Sequence, residues 1–285
     1  MQFASPTSID QAVQMLASAP HDARVLAGGT DLIVQMQSGL RSPSVVIDIK
    51  GIAALREITE GPDGFRIGAA VCGAAINEHP GLRAAWPGFV EATDLIGSMQ
   101  IQSRATPIGN LCNASPAADS VPAMVAAGAT VTIAGPDGQR TLPVEEVPTG
   151  PGRTCLTAGE FITAINLPPR APRSGDAYLR FIPRTEMDIA VVGAGVALTL
   201  DETGRCRAAR VSVGAVAPTV LLIDAAAEAL IGHAIDETAL DKAVEEVRAA
   251  CRPIDDKRGT AKYRTKIAGV IFKRTAQAAL VRTNA

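Results

Sequence analysis

Two adjacent glycines, Gly28 and Gly29, interrupt the stretch VLAGGTDLIVQ at residues 25–35 and constrain the local fold more than any other feature. The apolar run before them predicts a buried strand, and the apolar repeat after them predicts a helix. Backbone N–H groups freed of side chains at such a junction form a concave anion site that suits a diphosphate. The stretch matches neither G-x-G-x-x-G nor G-x-x-x-x-G-K-S/T. The alternative is an ordinary tight turn.

A second stretch, TPIGNLCNASPAADS at residues 106–120, concentrates glycine and short polar side chains between apolar residues. So many small donors and acceptors suit a polar ligand. They equally suit an irregular loop whose side chains cap its own backbone. The two interpretations differ in whether the two stretches meet in space. The residues concerned are Thr106, Gly109, Asn110, Asn113, Ser115, Asp119 and Ser120.

Composition excludes several classes of protein. A length of 285 residues predicts two or three compact units, and a net charge of −2 gives no field that attracts nucleic acid. The N-terminus lacks the basic and apolar regions of a secretion signal, and no apolar run reaches the ~18 residues of a membrane span. We therefore expect a cytoplasmic protein. The five separated cysteines show no C-x-x-C, so we expect neither an iron–sulfur cluster nor zinc in this chain.

The pattern of turns and apolar runs predicts an α+β fold in three units. Residues 1–55 read as a βαβ-like unit, and REITEGPDGFRIGAAV opens a second unit, residues 56–172, with a hairpin. The Pro-rich stretch LPPRAPRSG is the best linker candidate. Beyond it, residues 176–285 predict an antiparallel sheet of three strands and two helices, 238–251 and 260–281.

Four separated motifs carry a resemblance to a known family. They are AGGTDL, TPIGNLCNASPAADSVPA, RTEMDIAVVGAGVAL and DDKRGTAKYR, in that order. Together they resemble the FAD-binding subunits of the molybdenum hydroxylases, the family of xanthine dehydrogenase and the carbon monoxide dehydrogenase medium subunit. The resemblance implies a vanillyl-alcohol-oxidase-type (PCMH-like) FAD-binding domain in two subdomains, 1–55 and 56–172. A C-terminal α+β domain, 176–285, follows.

The resemblance also implies which residues bind FAD. The first stretch wraps the diphosphate, the second clasps it from the other side, and three further residues contact the cofactor or border the flavin. A β-branched residue at Gly28 or Gly29 is expected to abolish FAD retention, because its Cβ fills the space of the diphosphate. The family requires no catalytic acid, base or nucleophile and no metal ligand from this chain. The implied residues are Val25, Leu26, Ala27, Gly28, Gly29, Thr30, Asp31 and Leu32, then Thr106, Ile108, Gly109 and Asn110, and finally Asp119, Ile162 and Arg180.

Two departures from the family pattern affect this site. The family's T-I-G-G-N reads T-P-I-G-N here, so Pro107 removes an amide donor and Ile108 adds a side chain where relatives have glycine. Some relatives place an aromatic side chain on the flavin where this chain has Ile189. Both changes leave Gly109 and Asn110 in place, and we still expect FAD to bind.

As a member of such a complex, the chain is expected to pass electrons from iron–sulfur clusters through FAD to an external acceptor. The molybdenum cofactor and two-iron two-sulfur clusters then belong to a large molybdopterin-binding subunit and a small iron–sulfur subunit, in a dimer of heterotrimers. One alternative is a free-standing FAD-dependent oxidase or reductase. Another is a non-redox nucleotide-binding module.

Basic residues near the C-terminus are a further candidate for partner contact. They either dock another subunit or form a solvated helix face, and the second interpretation is favoured. They are Lys257, Arg258, Lys262, Arg264, Lys266, Lys273 and Arg274.

Overall fold

The fold is seen in a computed structural model that describes residues 1–19, 22–185 and 187–284. Its strands form four sheets. In chain order the strands are β1 (Gln2–Ala4), β2 (Arg24–Leu26), β3 (Val45–Asp48), β4 (Ile58–Gly61), β5 (Gly64–Gly68), β6 (Thr130–Gly135), β7 (Gly138–Pro143), β8 (Pro148–Gly150), β9 (Arg153–Thr154), β10 (Phe161–Leu167), β11 (Ser174–Phe181), β12 (Val192–Leu200), β13 (Cys206–Gly214) and β14 (Leu221–Leu222).

The helices fill the connections between these strands. In chain order they are α1 (Ile9–Ser18), α2 (Leu32–Gln37), α3 (Gly73–Glu78), α4 (Pro80–Ala85), α5 (Pro87–Asp94), α6 (Met99–Gln102), α7 (Pro107–Cys112), α8 (Ser120–Ala126), α9 (Asp224–Glu228), α10 (Glu237–Ala250) and α11 (Ala261–Val281). Short 3-10 turns lie at Ile49–Gly51, Ala53–Leu55, Val144–Glu146 and Arg282–Asn284.

The first sheet is parallel, in the order β1-β3-β2. α1 connects β1 to β2, and Ser8 caps it by accepting a hydrogen bond from the Gln11 N–H at 3.2 Å. The connection from β2 to β3 contains α2, which ends at Gln37 and is followed by Gly39 with a positive φ. This sheet carries the double glycine at the end of β2, so the loop emerges at the edge of the sheet.

The second sheet is antiparallel, in the order β4-β5-β10-β6-β7. β4 and β5 form the predicted hairpin, and β10 returns between β5 and β6 after a long excursion. Six of the seven β10 residues are buried. This central strand therefore holds Ile162, its second residue, in a fixed position.

The helices α3 to α8 lie between β5 and β6 in sequence. α8 is the most enclosed of them, since all seven of its residues are buried. Val121, Met124 and Val125 face the core shared by the first two sheets. On its other side α8 packs on β12 and β13. Gly195 allows this close approach, because a Cβ there would lie 2.4 Å from the Pro122 carbonyl oxygen.

The C-terminal sheet is antiparallel, in the order β11-β12-β13-β14. Its three long strands and the two long helices α10 and α11 occur where the sequence predicts them. α11 packs on β11 and β12, and α10 packs on α11. Small buried residues, Ala268, Ala276 and Ala279, allow the helix to lie close to the sheet. The α+β fold class is confirmed.

The linker candidate lies between β10 and β11. Arg170 forms an ion pair with Asp176 at 2.7 Å, and its guanidinium carbon stacks 4.8 Å from the centre of the Trp86 ring. The Trp86 indole N–H donates to the Pro168 carbonyl at 3.2 Å. These contacts hold the segment to the body of the protein. The boundaries near 55 and 172–176 stay predictions.

The structure decides against one of the two open interpretations of residues 106–120 and against the solvated-face expectation for one basic residue. The stretch at 106–120 is not one irregular loop, because Thr106 caps α7, Pro107 starts it and Ser120 starts α8. Arg264 is not part of a solvated face. It is buried, pairs with Asp256 at 2.7 Å and donates to the Val191 and Ala215 carbonyls.

Candidate cofactor site

A cavity of about 510 Å³ lies between the first sheet, α7 and the segment that leads into β10. This volume is in the usual range for small-molecule and cofactor sites. Three stretches of chain form its walls: the first wall is residues 24–41, the second is 105–113 and the third is 152–162. The lining includes the predicted residues Val25, Leu26, Ala27, Gly28, Gly29, Thr30, Asp31, Leu32, Thr106, Ile108, Gly109, Asn110 and Ile162.

The first wall supplies unpaired backbone donors. Four successive N–H groups, from Gly28 to Asp31, have no hydrogen-bond acceptor within the described parts of the chain. Gly29 adopts a positive φ of 81°, which favours glycine. Successive N–H groups in such a turn bind anionic oxygens. α2, which follows, has only six residues, so the loop amides matter more here than the helix dipole.

Gly28 allows the first two walls to touch. A Cβ at this position would lie 2.0 Å from the Arg104 carbonyl oxygen and 2.7 Å from its carbon. The expected reason for this glycine, room for the diphosphate, is therefore wrong. Gly28 is needed because the loop packs directly on the backbone that leads into the second wall.

The Lys50 side chain holds the loop that contains Gly28 and Gly29 in place. Its Nζ donates to the Ala27 carbonyl at 3.0 Å and to the Asp48 carboxylate at 2.6 Å. Asp48 also accepts from the Lys50 N–H at 3.0 Å, so the pair is held at the end of β3. The residue just before the double glycine is thus tied to the neighbouring strand.

The second wall begins with a capped helix. The Thr106 hydroxyl accepts from the Gly109 N–H at 2.9 Å, and Pro107 occupies the first helical position, where its missing N–H costs nothing. Ile108 is 5% exposed, so it lines the cavity while packing into the core. The T-P-I-G-N departure is therefore compatible with a helical second wall.

Gly109 and Asn110 leave this wall open to a ligand. A Cβ at Gly109 would have only the Thr106 hydroxyl within 4 Å, so the glycine keeps the cavity clear. The Asn110 Oδ1 accepts from the Ser120 N–H at 3.3 Å and from its hydroxyl at 2.8 Å. This orientation leaves the Asn110 amino group to donate to a bound molecule.

Asn113 bridges the two walls. Its Nδ2 donates to Asp31 Oδ1, and its Oδ1 accepts from Gln35 Nε2, each at 3.1 Å. Asp31, Gln35 and Asn113 all line the cavity. Burial raises the pKa of the Asp31 carboxyl.

The third wall carries a fixed acidic group. Glu160 binds Arg140 through both carboxylate oxygens, at 2.6 and 2.8 Å, and accepts from the Thr157 N–H at 2.8 Å. The hydrogen bonds from Arg140 lower the pKa of Glu160 to about 2. Ile162, two residues later, is 2% exposed and closes this side of the cavity with an apolar surface.

Asp119 and Arg180 do not line the cavity. They form a buried ion pair at 2.7 Å, and the Tyr178 hydroxyl donates to Asp119 at 3.0 Å. Burial raises the pKa of Asp119 to about 6, against the opposing effects of Arg180 and Tyr178. Arg180 also donates to the Leu95 carbonyl at 3.2 Å, directly beside Ile96, which lines the cavity. The pair lies behind the cavity surface.

Several lining residues were not predicted to take part in the site. Asn113 belongs to the polar set at 106–120, but its spacing from Asp31 and Gln35 gives no sign that they meet. Glu160 and Ile96 carry no local motif at all. The one indication in the sequence for Glu160 is its position, as a charged residue directly before the apolar strand β10.

Comparisons with known proteins agree with this geometry. The family described as FAD binding domain in molybdopterin dehydrogenase matches residues 1–170. The family described as CO dehydrogenase flavoprotein C-terminal domain matches residues 177–279. The walls of the cavity therefore all lie within the first matched segment.

Similar proteins cover the whole chain. The carbon monoxide dehydrogenase medium chain of Afipia carboxidovorans is 36% identical, over 97% of this chain and 96% of that protein. The putative xanthine dehydrogenase FAD-binding subunit of Escherichia coli is 29% identical, over 94% of this chain and 91% of that subunit. A chain of the reconstituted CO dehydrogenase from Oligotropha carboxidovorans superposes with a TM-score of 0.94 at 36% identity, covering 99% of this chain and 98% of that one.

Two features are absent from the described residues. No helix there has the length and apolar character to cross a membrane. No cluster of three or more His, Cys, Asp or Glu side chains there is arranged to hold a metal ion.

The two matched segments, the relatives and the shared fold together show that the chain belongs to the FAD-binding medium subunits of the molybdenum hydroxylase family.

Proposed function

We propose that the cavity binds FAD and that the four N–H groups of residues 28–31 receive its diphosphate. These unpaired donors in a family-matched FAD-binding domain are the observation that carries the proposal. Gly109 keeps the opposite wall clear, and the Asn110 amino group is free to donate. Ile162 supplies an apolar border for the flavin. The unpaired amides suit the diphosphate, and the apolar border suits the flavin.

Asp119 and Arg180 act on the cofactor from behind the cavity surface. The Arg180 Nε is buried and has no hydrogen-bond partner among the described residues, so part of its guanidinium is not committed to the ion pair. Its charge lies beside the Leu95–Ile96 segment and favours negative charge on a nearby ring. Asp119 accepts a hydrogen bond from this arginine and is itself held by the Tyr178 hydroxyl.

The bound FAD supplies the redox chemistry, taking up and giving off one or two electrons. This chain binds it, orients it and sets the charge around it. We place the iron–sulfur clusters and the molybdenum cofactor on a small and a large partner subunit, and we propose a dimer of heterotrimers in the cytoplasm. The relatives named as medium chains and FAD-binding subunits support this role over a free-standing oxidase or a nucleotide-binding module.

The first experiment is purification of the complex from its own host, with an absorption spectrum and mass identification of the cofactor released by denaturation. FAD together with iron–sulfur absorption and three subunits of equal stoichiometry is the expected result. A preparation that lacks flavin and does not take up added FAD would contradict the proposal. Native mass measurement tests the dimer of heterotrimers separately.

A further inference from the structure

The segment 30–38 of the first wall, here called the flap, packs weakly on the rest of the protein. None of the six α2 residues is buried, whereas α7, of equal length, buries Pro107, Ile108 and Leu111. Ile33 and Val34 are 46% and 60% exposed. A helix with so little buried apolar surface gains little stability from packing and opens at low cost.

The flap is bounded by glycines at both ends. Gly29 and Gly39 have φ angles of 81° and 73°, in the left-handed region that favours glycine. A Cβ at Gly39 would meet nothing within 4 Å, so its conformation and not its surroundings selects glycine. These two positions are natural pivots for movement of the flap.

Asn113 makes the hydrogen bonds that join the flap to the rest of the chain. Among the described residues, the flap's other hydrogen bonds stay within residues 29–41. The two bonds from Asn113, to Asp31 and to Gln35, use both ends of its amide. One side chain of the well-packed second wall therefore fixes both turns of the flap.

We propose that Asn113 is a positioning residue that holds the flap closed over the cofactor and so controls how long FAD stays bound. This inference rests on the proposed function. FAD enters and leaves when both Asn113 hydrogen bonds break and the flap turns at its glycines. The residue acts through Asp31 and Gln35, and its own contact with the cofactor is not required.

The chemistry of the amide provides a sharp test. In Asn113→Asp a carboxylate replaces the amino group that faces Asp31, so two carboxylates oppose each other. In the double variant Asp31→Asn, Asn113→Asp, the side chain at 31 becomes the donor and the side chain at 113 the acceptor. The carboxylate at 113 still accepts the hydrogen bond from Gln35. Asn113→Leu removes both bonds with nearly the same shape. Gln37→Leu, an exposed residue of the same helix without a described side-chain hydrogen bond, is the matched control.

The experiment measures FAD release from the purified complex, as flavin fluorescence after dilution, and hydrogen exchange of residues 30–38. We expect Asn113→Leu and Asn113→Asp to release FAD about ten-fold faster, as loss of one or two hydrogen bonds implies. Exchange in the flap should rise in both, with and without FAD. The exchanged pair should return both readouts to near the wild-type values, and Gln37→Leu should not change them.

Distinct results overturn the proposal. Unchanged flap exchange in both single variants would show that Asn113 does not close the flap. Faster exchange with unchanged FAD release would show that closure does not control retention. Failure of the exchanged pair to restore both readouts would reduce Asn113 to a general folding role. A wild-type complex without FAD would contradict the proposed function itself, and this inference with it.

Discussion

The first and second walls of the cavity face each other but are built in opposite ways. The first has four unpaired N–H groups and a helix with no buried residue. The second has a helix of equal length that Thr106 caps through the Gly109 N–H and that buries half its residues. The difference separates two tasks. The wall that offers donors is held loosely, and the wall that gives shape is part of the core.

The largest expected effect comes from forcing the walls apart. Gly28→Val places side-chain atoms on the Arg104 carbonyl, where a Cβ would lie at 2.0 Å. We expect complete loss of bound FAD and a fall in stability of about 3 kcal/mol or more, as for other forced overlaps in packed regions. Flavin absorbance per chain and chemical denaturation measure the two effects. Gly61→Ala, at a position with no positive φ where a Cβ meets no atom within 4 Å, is the control. Normal flavin content in Gly28→Val would show that the walls need not touch.

The second prediction concerns the buried ion pair between Asp119 and Arg180. Asp119→Ala leaves Arg180 buried without its partner, which costs about 3–5 kcal/mol in comparable buried pairs. We expect a lower melting temperature together with weaker FAD binding, because Arg180 is no longer fixed beside Ile96. Asp119→Asn keeps the hydrogen-bonding shape and should show a smaller loss. An Asp119→Ala protein of normal stability and normal flavin affinity would remove the pair from the site.

The third prediction compares the two short helices directly. Leu111→Ala in α7 creates a cavity at a fully buried position and should lower the free energy of unfolding by about 2–5 kcal/mol. Val34→Ala in α2 changes a side chain that is 60% exposed and should stay within about 0.5 kcal/mol of wild type. Denaturant titration of both variants measures the difference. Similar losses would mean that the flap is packed as firmly as the second wall.

The smallest expected effect is the contribution of Glu160 to the pH dependence of stability. The folded pKa of Glu160, about 2, lies below its ordinary value of 4.5, so its contribution is present above pH 4.5 and is lost as the pH falls toward 2. In Glu160→Gln this part of the acid sensitivity should disappear. Melting temperatures between pH 5 and pH 2.5 compare the two proteins. Parallel curves would show that the third wall gains nothing from the charge of Glu160.

The sequence predicts helices and strands well where the hydrophobic periodicity and the turn residues agree, as in α10, α11 and the β4–β5 hairpin. It predicts Gly28 as a key residue but for the wrong reason, because a sequence does not show which backbone approaches it. The helix α7 is missed because a capped helix of six residues reads as a polar loop. Asn113 and Arg264 act through residues that are distant in sequence, so no local pattern marks them.

The close contact between α8 and the C-terminal sheet, at Gly195, can form only after β12 and β13 have been synthesised. The other face of α8 is covered only once β12 and β13 lie against it, with Gly195 on the Pro122 carbonyl. During synthesis residues 1–170 leave the ribosome first, with one face of α8 bare and Asp119 without Arg180. A protein truncated after residue 170 would leave that face of α8 exposed to solvent. The second half of the chain therefore covers a surface that the first half exposes until translation is complete, and exposed surface of this kind promotes aggregation.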